Sequence, residues 1–173
     1  MKIVFILDQI QAGLGGEEHS NQALGGKRIP MGSVTMFNKQ LDKYQGQVEA
    51  TLFSGDGFFH QDAQTNALKM AGMVKKLQPD VVVCGPCFHY KNYASMAATI
   101  AQTIEERVGI PTVTTMAQEC DQVINDFKDT INIVKMPKKG EVGLNEALDN
   151  ILHLAQLKAN KQDTSEFVAA HCY

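Results

Sequence analysis

The feature that most constrains the fold of this chain is a repeated alternation of short apolar runs with longer amphipathic stretches. The runs are rich in β-branched residues, which is typical of buried parallel strands. They occupy residues 2–7, 48–53, 80–83, 112–116 and 132–136. Helical patterns separate or follow them at residues 34–44, 62–77, from about 93 to 108, 123–129 and 143–161. Alternation of this kind predicts a parallel sheet with helices on both faces.

We therefore predict an α/β fold, a three-layer α/β/α sandwich of the flavodoxin or Rossmann-like type. Its parallel sheet has five strands, and the order we favour is 2-1-3-4-5. In such open sheets, ligands bind at the carboxyl ends of the strands where the chain order reverses, which here lies between strands one and three. We assign residues 1–161 to a single domain and residues 162–173 to a flexible polar tail.

Charge and composition exclude several classes of function. The formal net charge is −3, which gives no basic surface for nucleic acid. No apolar run approaches the roughly 18 residues that span a bilayer. The short apolar start lacks the features of a secretory signal, so we expect a cytoplasmic protein. The chain has 4 cysteines, and in a reducing compartment these do not indicate a disulfide framework.

The segment Cys84-Gly85-Pro86-Cys87 directly follows the third strand and precedes a helix. Near the amino end of that helix the dipole would stabilise a Cys87 thiolate, and Cys84 would then resolve a mixed disulfide. Two alternatives stay open. The pair can be two small buried apolar residues, or half of a metal site completed by Cys120 and by His89 or His60. We assign the pair as catalytic, and we predict neither a metal nor a cofactor.

Two glycine-rich loops follow the first two strands at the same predicted sheet edge. The first contains Gly15 and Gly16, whose small size allows close backbone approach, followed by two acids that would repel a pyrophosphate and attract a cationic group. A solvated surface loop is the alternative. The predicted substrate-binding residues, all on edge loops, are Gly15, Gly16, Glu17, Glu18, Asp56, His89, Tyr90 and Glu119.

Several stretches resemble one known family from residue 2 to residue 157. The most specific are Ala12-Gly13-Leu14-Gly15-Gly16-Glu17-Glu18 and Gly85-Pro86 followed by Phe88. The others, in chain order, are residues 48–51, Gly55-Asp56, Phe58-Phe59, Pro79-Asp80, Tyr93, residues 109–111, Val113-Thr114, Met116, Glu119 and residues 133–135. Together they are similar to component B of the glycine, sarcosine and betaine reductases, the selenoprotein B family.

The resemblance implies an oxidoreductase that cleaves a small amino acid or amine reductively. In that family an anionic chalcogen attacks the α carbon of the substrate, an amine is released, and the carboxymethyl group passes to a partner subunit. The resemblance therefore implies other subunits of a reductase complex as partners, besides a small-molecule substrate. We also expect a homo-oligomer.

This chain departs from the family in two ways. The family subunit is more than twice as long, with its selenocysteine in the later half, and it usually has Ala where Cys84 and Cys87 stand here. The chain is therefore predicted to be a short homologue of the N-terminal domain. Either the cysteine pair replaces the missing nucleophile, or the chain is a non-catalytic substrate-binding or assembly subunit that needs a redox partner.

Overall fold

A computed structural model describes residues 1–173 of the chain. The chain contains six strands and seven α-helices. The strands are β1 (Lys2–Asp8), β2 (Gly25–Lys27), β3 (Gln47–Ser54), β4 (Val81–Cys84), β5 (Thr112–Ala117) and β6 (Ile133–Met136). The helices are α1 (Asn38–Lys43), α2 (Asp56–Gln61), α3 (Ala63–Leu77), α4 (Lys91–Val108), α5 (Asp121–Phe127), α6 (Leu144–Ala159) and α7 (Ser165–His171).

The strands form one mixed sheet in the order β2-β3-β1-β4-β5-β6. Five of these strands are parallel and follow the predicted order. The prediction of a purely parallel five-stranded sheet is wrong, because β2 adds a sixth, antiparallel strand at one edge. The β2 strand is a short glycine-containing segment within the long loop after β1, and it has no hydrophobic periodicity that would mark it as a strand.

The centre of the sheet is buried on both faces. Residues 3–8 of β1 are all buried, as expected for a strand between two parallel neighbours covered by helices. Helices α3 and α4 pack together on one face, and α6 packs on the other. Tyr93 of α4 is fully buried, and its hydroxyl donates a hydrogen bond to the Ile6 carbonyl at 2.8 Å. That bond fixes the first turn of α4 against the end of β1.

Two other segments differ from the sequence prediction, and the C-terminal segment contains a helix. The helix predicted at residues 34–44 begins as a 3₁₀ turn at Gly32–Phe37, and the Ser33 hydroxyl does not cap it. The second glycine-rich loop is short, because α2 already begins at Asp56. The predicted flexible tail contains α7, and the amide of Tyr173 donates to the Ile133 carbonyl of β6 at 3.1 Å.

No helix combines the length and the apolar character needed to cross a bilayer.

Candidate functional site

A cavity of about 660 Å³ lies at the carboxyl ends of β1, β3 and β4, where β1 and β4 are neighbours and the strand order reverses. Open α/β sheets bind ligands at this place. Three loops and the first turn of α4 form the cavity. Its lining residues are Asp8, Gln9, Ile10, Glu17, Ser20, Asp56, Gly57, His89, Tyr90, Lys91 and Asn92.

The Gln9 side chain, which follows β1, makes two hydrogen bonds to Asp56, which follows β3, and Asp8 stands next to Gln9 in the chain. The Gln9 Nε2 group donates to Asp56 Oδ1 at 3.1 Å, and Gln9 Oε1 accepts from the Asp56 amide at 3.0 Å. Asp8 precedes Gln9, and its Oδ1 accepts from the Gln11 amide at 2.6 Å. Burial raises the pKa of Asp8 to about 6; the Gln11 hydrogen bond opposes this rise and the Asp56 charge adds to it. The cavity therefore holds a carboxyl group that titrates near neutral pH.

The loop after β1 closes another part of the cavity with Glu17 and Ser20. The carbonyl of Ser20 accepts from the Phe58 amide at 2.8 Å, and the Gln22 carbonyl accepts from the Gly55 amide at 2.7 Å. A Cβ atom at Gly55 would lie 2.0 Å from the Ser20 carbonyl oxygen, so only glycine allows this approach. The contact holds the acidic loop against the start of α2.

The first turn of α4 gives the cavity its donor groups. The first helical hydrogen bond runs from the Ala94 amide to the Tyr90 carbonyl, so the amides of Lys91, Asn92 and Tyr93 precede it without an intrahelical acceptor. No side chain caps this turn. Because these amides carry the positive end of the helix dipole and Lys91 adds a full charge, this part of the cavity favours an anion.

Cys84 and Cys87 lie beneath the cavity and are fully buried. The Cys87 Sγ atom is 3.9 Å from the Cys84 carbonyl, and all four cysteines are free. Burial raises the pKa of both thiols well above the usual range. The expected lowering of the Cys87 pKa is therefore wrong: α4 begins only at Lys91, and desolvation outweighs any effect of its dipole. A catalytic role for the pair stays a prediction, and it requires exposure of the thiols.

The cavity brings together four of the predicted binding residues: Glu17, Asp56, His89 and Tyr90. His89 and Tyr90 stack with their ring centroids 4.4 Å apart. The other four lie outside its lining. Gly15 and Gly16 shape the preceding turn, Glu18 accepts from the Gly16 amide, and Glu119 accepts from the Lys139 amide.

Sequence reasoning missed the other seven lining residues, which are Asp8, Gln9, Ile10, Ser20, Gly57, Lys91 and Asn92. Two of them could have been predicted from the sequence. Asp8 and Gln9 directly follow the apolar run of β1, and residues in that position lie at the carboxyl edge of the sheet. Lys91 was not predicted as a site residue, because the helix was expected to begin only near Tyr93. Ser20 enters the cavity only through its contact with the loop after β3.

The alternative metal site does not form in this arrangement. The structure places no group of three or more His, Cys, Asp or Glu side chains where they could hold a metal ion. Cys120 instead directs its Sγ toward the Phe88 carbonyl at 3.6 Å.

Comparison with known proteins decides the family. The family model described as glycine/sarcosine/betaine reductase selenoprotein B matches residues 1–171. The chain belongs to this selenoprotein B family. The family predicted from the sequence is thereby confirmed, and the match extends over nearly the whole chain.

Several curated members of the selenoprotein B family are similar to this chain. Component B subunit gamma of the glycine reductase complex from Carboxydothermus hydrogenoformans is 28% identical over 167 residues, covering 95% of this chain and 38% of the relative. The corresponding glycine reductase subunit of Peptoclostridium acidaminophilum is 32% identical over 117 residues, covering 67% and 26%. Component B subunit beta of the sarcosine reductase complex from that organism is 29% identical over 135 residues, covering 78% and 30%.

The chain thus spans between 26% and 38% of the length of these relatives. All three relatives are named as subunits of reductase complexes. No solved structure matches the chain.

Proposed function

We propose that the chain is a substrate-binding subunit of a reductase complex of the selenoprotein B family. It holds the zwitterion of a small amino acid in the edge cavity, and a partner chain supplies the redox centre. The relatives are named for glycine and sarcosine, so these two compounds are the first candidates. The observation that carries the proposal is the division of one cavity into an acidic part and an anion-binding part.

The acidic part suits an ammonium group. Asp8, Glu17 and Asp56 all line it, and no lysine or arginine forms a salt bridge with any of them. The nearby Asp56 charge contributes to the raised pKa of Asp8, so the two carboxylates repel each other when both are ionised. A bound cation would relieve that repulsion, because each carboxylate then has an opposite charge nearby. Binding would therefore lower the Asp8 pKa and release a proton from molecules in which Asp8 is protonated.

The anion-binding part suits the carboxylate of the same ligand. The free amides at the start of α4 can donate to carboxylate oxygens, and Lys91 supplies a charge. The Lys91 ammonium lies 3.6 Å from Asp121 in an exposed, long contact, so it is available to a ligand. A zwitterion satisfies both parts at once, whereas a simple amine or a simple carboxylate satisfies only one.

The burial of the thiols supports a partner-dependent rather than an independent enzyme. A thiolate nucleophile must be ionised and must reach its substrate, and Cys84 and Cys87 meet neither requirement in this conformation. Reductive cleavage by these two thiols is therefore the less favoured proposal. It needs an opening of residues 84–88 for which the structure offers no separate support.

Calorimetric titration with matched ligands tests the binding proposal. We expect glycine and sarcosine to bind, and methylamine and acetate, which each carry only one of the two charged groups, to bind at least about tenfold more weakly. Equal affinity for glycine and methylamine would contradict the proposal that the cavity recognises a zwitterion. Absence of binding for all four ligands would contradict the whole binding proposal.

A Cys84→Ser, Cys87→Ser double variant separates the two roles in the assembled complex. Unchanged turnover by the complex favours the binding subunit. Loss of turnover with glycine affinity kept favours thiol-dependent cleavage by the chain itself.

A further inference from the structure

Gln9 directs both polar atoms of its side chain at one residue, Asp56. Gln9 is the first residue after β1 and is only 1% exposed. Its Nε2 group donates to Asp56 Oδ1 at 3.1 Å, and its Oε1 atom accepts from the Asp56 amide at 3.0 Å. A carboxamide fits this place because one of its atoms donates and the other accepts, whereas an ionised carboxylate only accepts and an aliphatic side chain does neither. The pairing therefore requires the chemistry of glutamine and not merely its volume.

The two oxygens of the Asp56 carboxylate differ because of this pairing. Oδ1 accepts from Gln9 Nε2 and also from the Gly57 amide, the latter at 2.9 Å. Oδ2 has no hydrogen-bond partner in the chain, and it is not sealed from solvent. Since Asp56 lines the substrate cavity, Oδ2 is the oxygen that is left for a ligand.

The pairing also joins two loops at the point where the sheet no longer connects them. The last pair of residues between β1 and β3 is Asp8 with Ser54, and both Gln9 and Asp56 lie just beyond it. Asp56 begins α2, so its amide has no acceptor within the helix. Gln9 Oε1 supplies that acceptor from the neighbouring loop. One side chain thus fixes both the main chain and the carboxylate of Asp56.

We propose that Gln9 is the positioning residue of the acidic part of the cavity: it holds Asp56 Oδ1 and thereby keeps Oδ2 directed at the ammonium group of the bound amino acid. This role rests on the proposed function, because the ammonium group is the part of the ligand that Asp56 binds. Gln9 acts through Asp56 and not by a contact of its own with that group. An oxygen that is fixed in advance binds more tightly than one on a freely rotating side chain, since its rotational freedom is lost on folding and not on binding.

Calorimetric titration of a Gln9→Met variant tests the effect on binding. Methionine has a similar length but does not replace the carboxamide, so Asp56 keeps its charge and loses its fixed orientation. We expect the dissociation constants for glycine and methylamine to rise about fivefold, and the constant for acetate, which lacks an ammonium group, to stay the same. Gln64→Met is the matched control, because Gln64 is exposed on α3 outside the cavity. Equal weakening for acetate would indicate general damage to the cavity and would overturn the positioning role.

A double-mutant cycle with Asp56→Ala tests whether Gln9 acts through Asp56. If it does, Gln9→Met weakens glycine binding in the wild-type chain but changes it by less than about twofold once the Asp56 carboxylate is absent. The same loss in both backgrounds would contradict the proposal, because Gln9 would then act by another route. Gln9→Asn, which keeps the carboxamide on a side chain shorter by one methylene, replaces Gln9→Met in each measurement if the methionine variant does not fold.

NMR couplings across the Asp56 Cα–Cβ bond test the positioning without any ligand. We expect the values of a single rotamer in the wild type and averaged values in Gln9→Met. If averaging appears but no ligand binds the wild-type chain, only the substrate proposal fails. If Gln9→Met binds glycine like the wild type, the positioning role is overturned and the substrate proposal stands. Unchanged couplings would overturn the positioning role whether or not glycine binds.

Discussion

The end of β4 and the end of β1 lie side by side in the sheet, yet they differ in what they offer to a ligand. Cys84, the last residue of β4, pairs with Ile6, so β1 continues for two further residues to Asp8. The chain after β4 stays inside the sheet, since the Gly85 amide donates to the Ile6 carbonyl at 3.3 Å and the Cys87 amide donates to the Thr115 carbonyl at 3.0 Å. The conspicuous cysteine motif is thus covered, and an inconspicuous aspartate reaches the cavity.

Burial raises the pKa of the ionisable groups in both regions, but the chemical consequences are opposite. It raises the pKa of the Cys84 and Cys87 thiols, which keeps them neutral and unreactive at physiological pH. It also raises the pKa of Asp8, but only to about 6, so this carboxyl still ionises at neutral pH. The comparison teaches that the same desolvation silences a thiol, whose ordinary pKa already lies above neutral pH, but brings a carboxyl, whose ordinary pKa lies far below it, close to neutrality.

The prediction with the largest expected effect concerns the reactivity of the Cys84 and Cys87 thiols. We expect Cys84 and Cys87 of the native chain to react with iodoacetamide at least about 100-fold more slowly than in the unfolded chain, because the thiolate is both scarce and inaccessible. Mass spectrometry of timed samples, with and without urea, measures this ratio. Rapid alkylation of Cys87 in the native chain would show that the segment opens and would revive the thiol mechanism.

The next effect concerns the charge at the ends of β1 and β3. Asp56→Asn keeps the shape of the side chain but removes its charge, so the dissociation constant for glycine should rise at least about tenfold, or about 1.4 kcal/mol. Asp129→Asn is the matched control, because Asp129 is exposed outside the cavity and forms no salt bridge. Calorimetry compares the three proteins. Equal affinities would place the ligand elsewhere.

A third effect follows from the Asp8 pKa of about 6. Above that pH the carboxyl is charged and attracts the ammonium group; below it the carboxyl is neutral and the attraction is lost. Lowering the pH from 7.5 to 5 should therefore weaken glycine binding by up to about tenfold. Titrations across this range measure it. Asp8→Asn should bind weakly and with little pH dependence, and a variant that kept the wild-type profile would assign the titration to another group.

The prediction with the smallest expected effect tests whether the anion-binding part of the cavity acts separately from the acidic part. Lys91→Met retains the aliphatic length but not the charge, so glycine binding should weaken about threefold to fivefold while methylamine binding stays the same. The helix amides remain as donors, which limits the loss. Lys128→Met, at an exposed position outside the cavity, is the control. Equal weakening for both ligands would contradict a contact between Lys91 and the carboxylate.

Much of the fold could be predicted because its parallel strands and main helices carry their own periodicity. The order of the five parallel strands followed from alternation and connection rules alone. The β2 strand and α7 could not be predicted, since β2 depends on its pairing with β3 and the short α7 depends on its packing against α6 and β6. Asp56 and Glu17 were predicted because they follow strand-like runs, whereas Ser20 joins them only through its contact with the loop after β3.

The sequence by itself determined the order of the five parallel strands, the sheet edge at which their loops meet and the family to which the chain is similar. Those properties depend on local periodicity and on residue order, both of which are written in the chain. Only the tertiary structure decided that the two thiols are sealed and that Asp8 shares a cavity with Asp56 and the start of α4. The physical reason is that burial and charge proximity are set by register and packing between segments far apart in sequence, and no local pattern contains them.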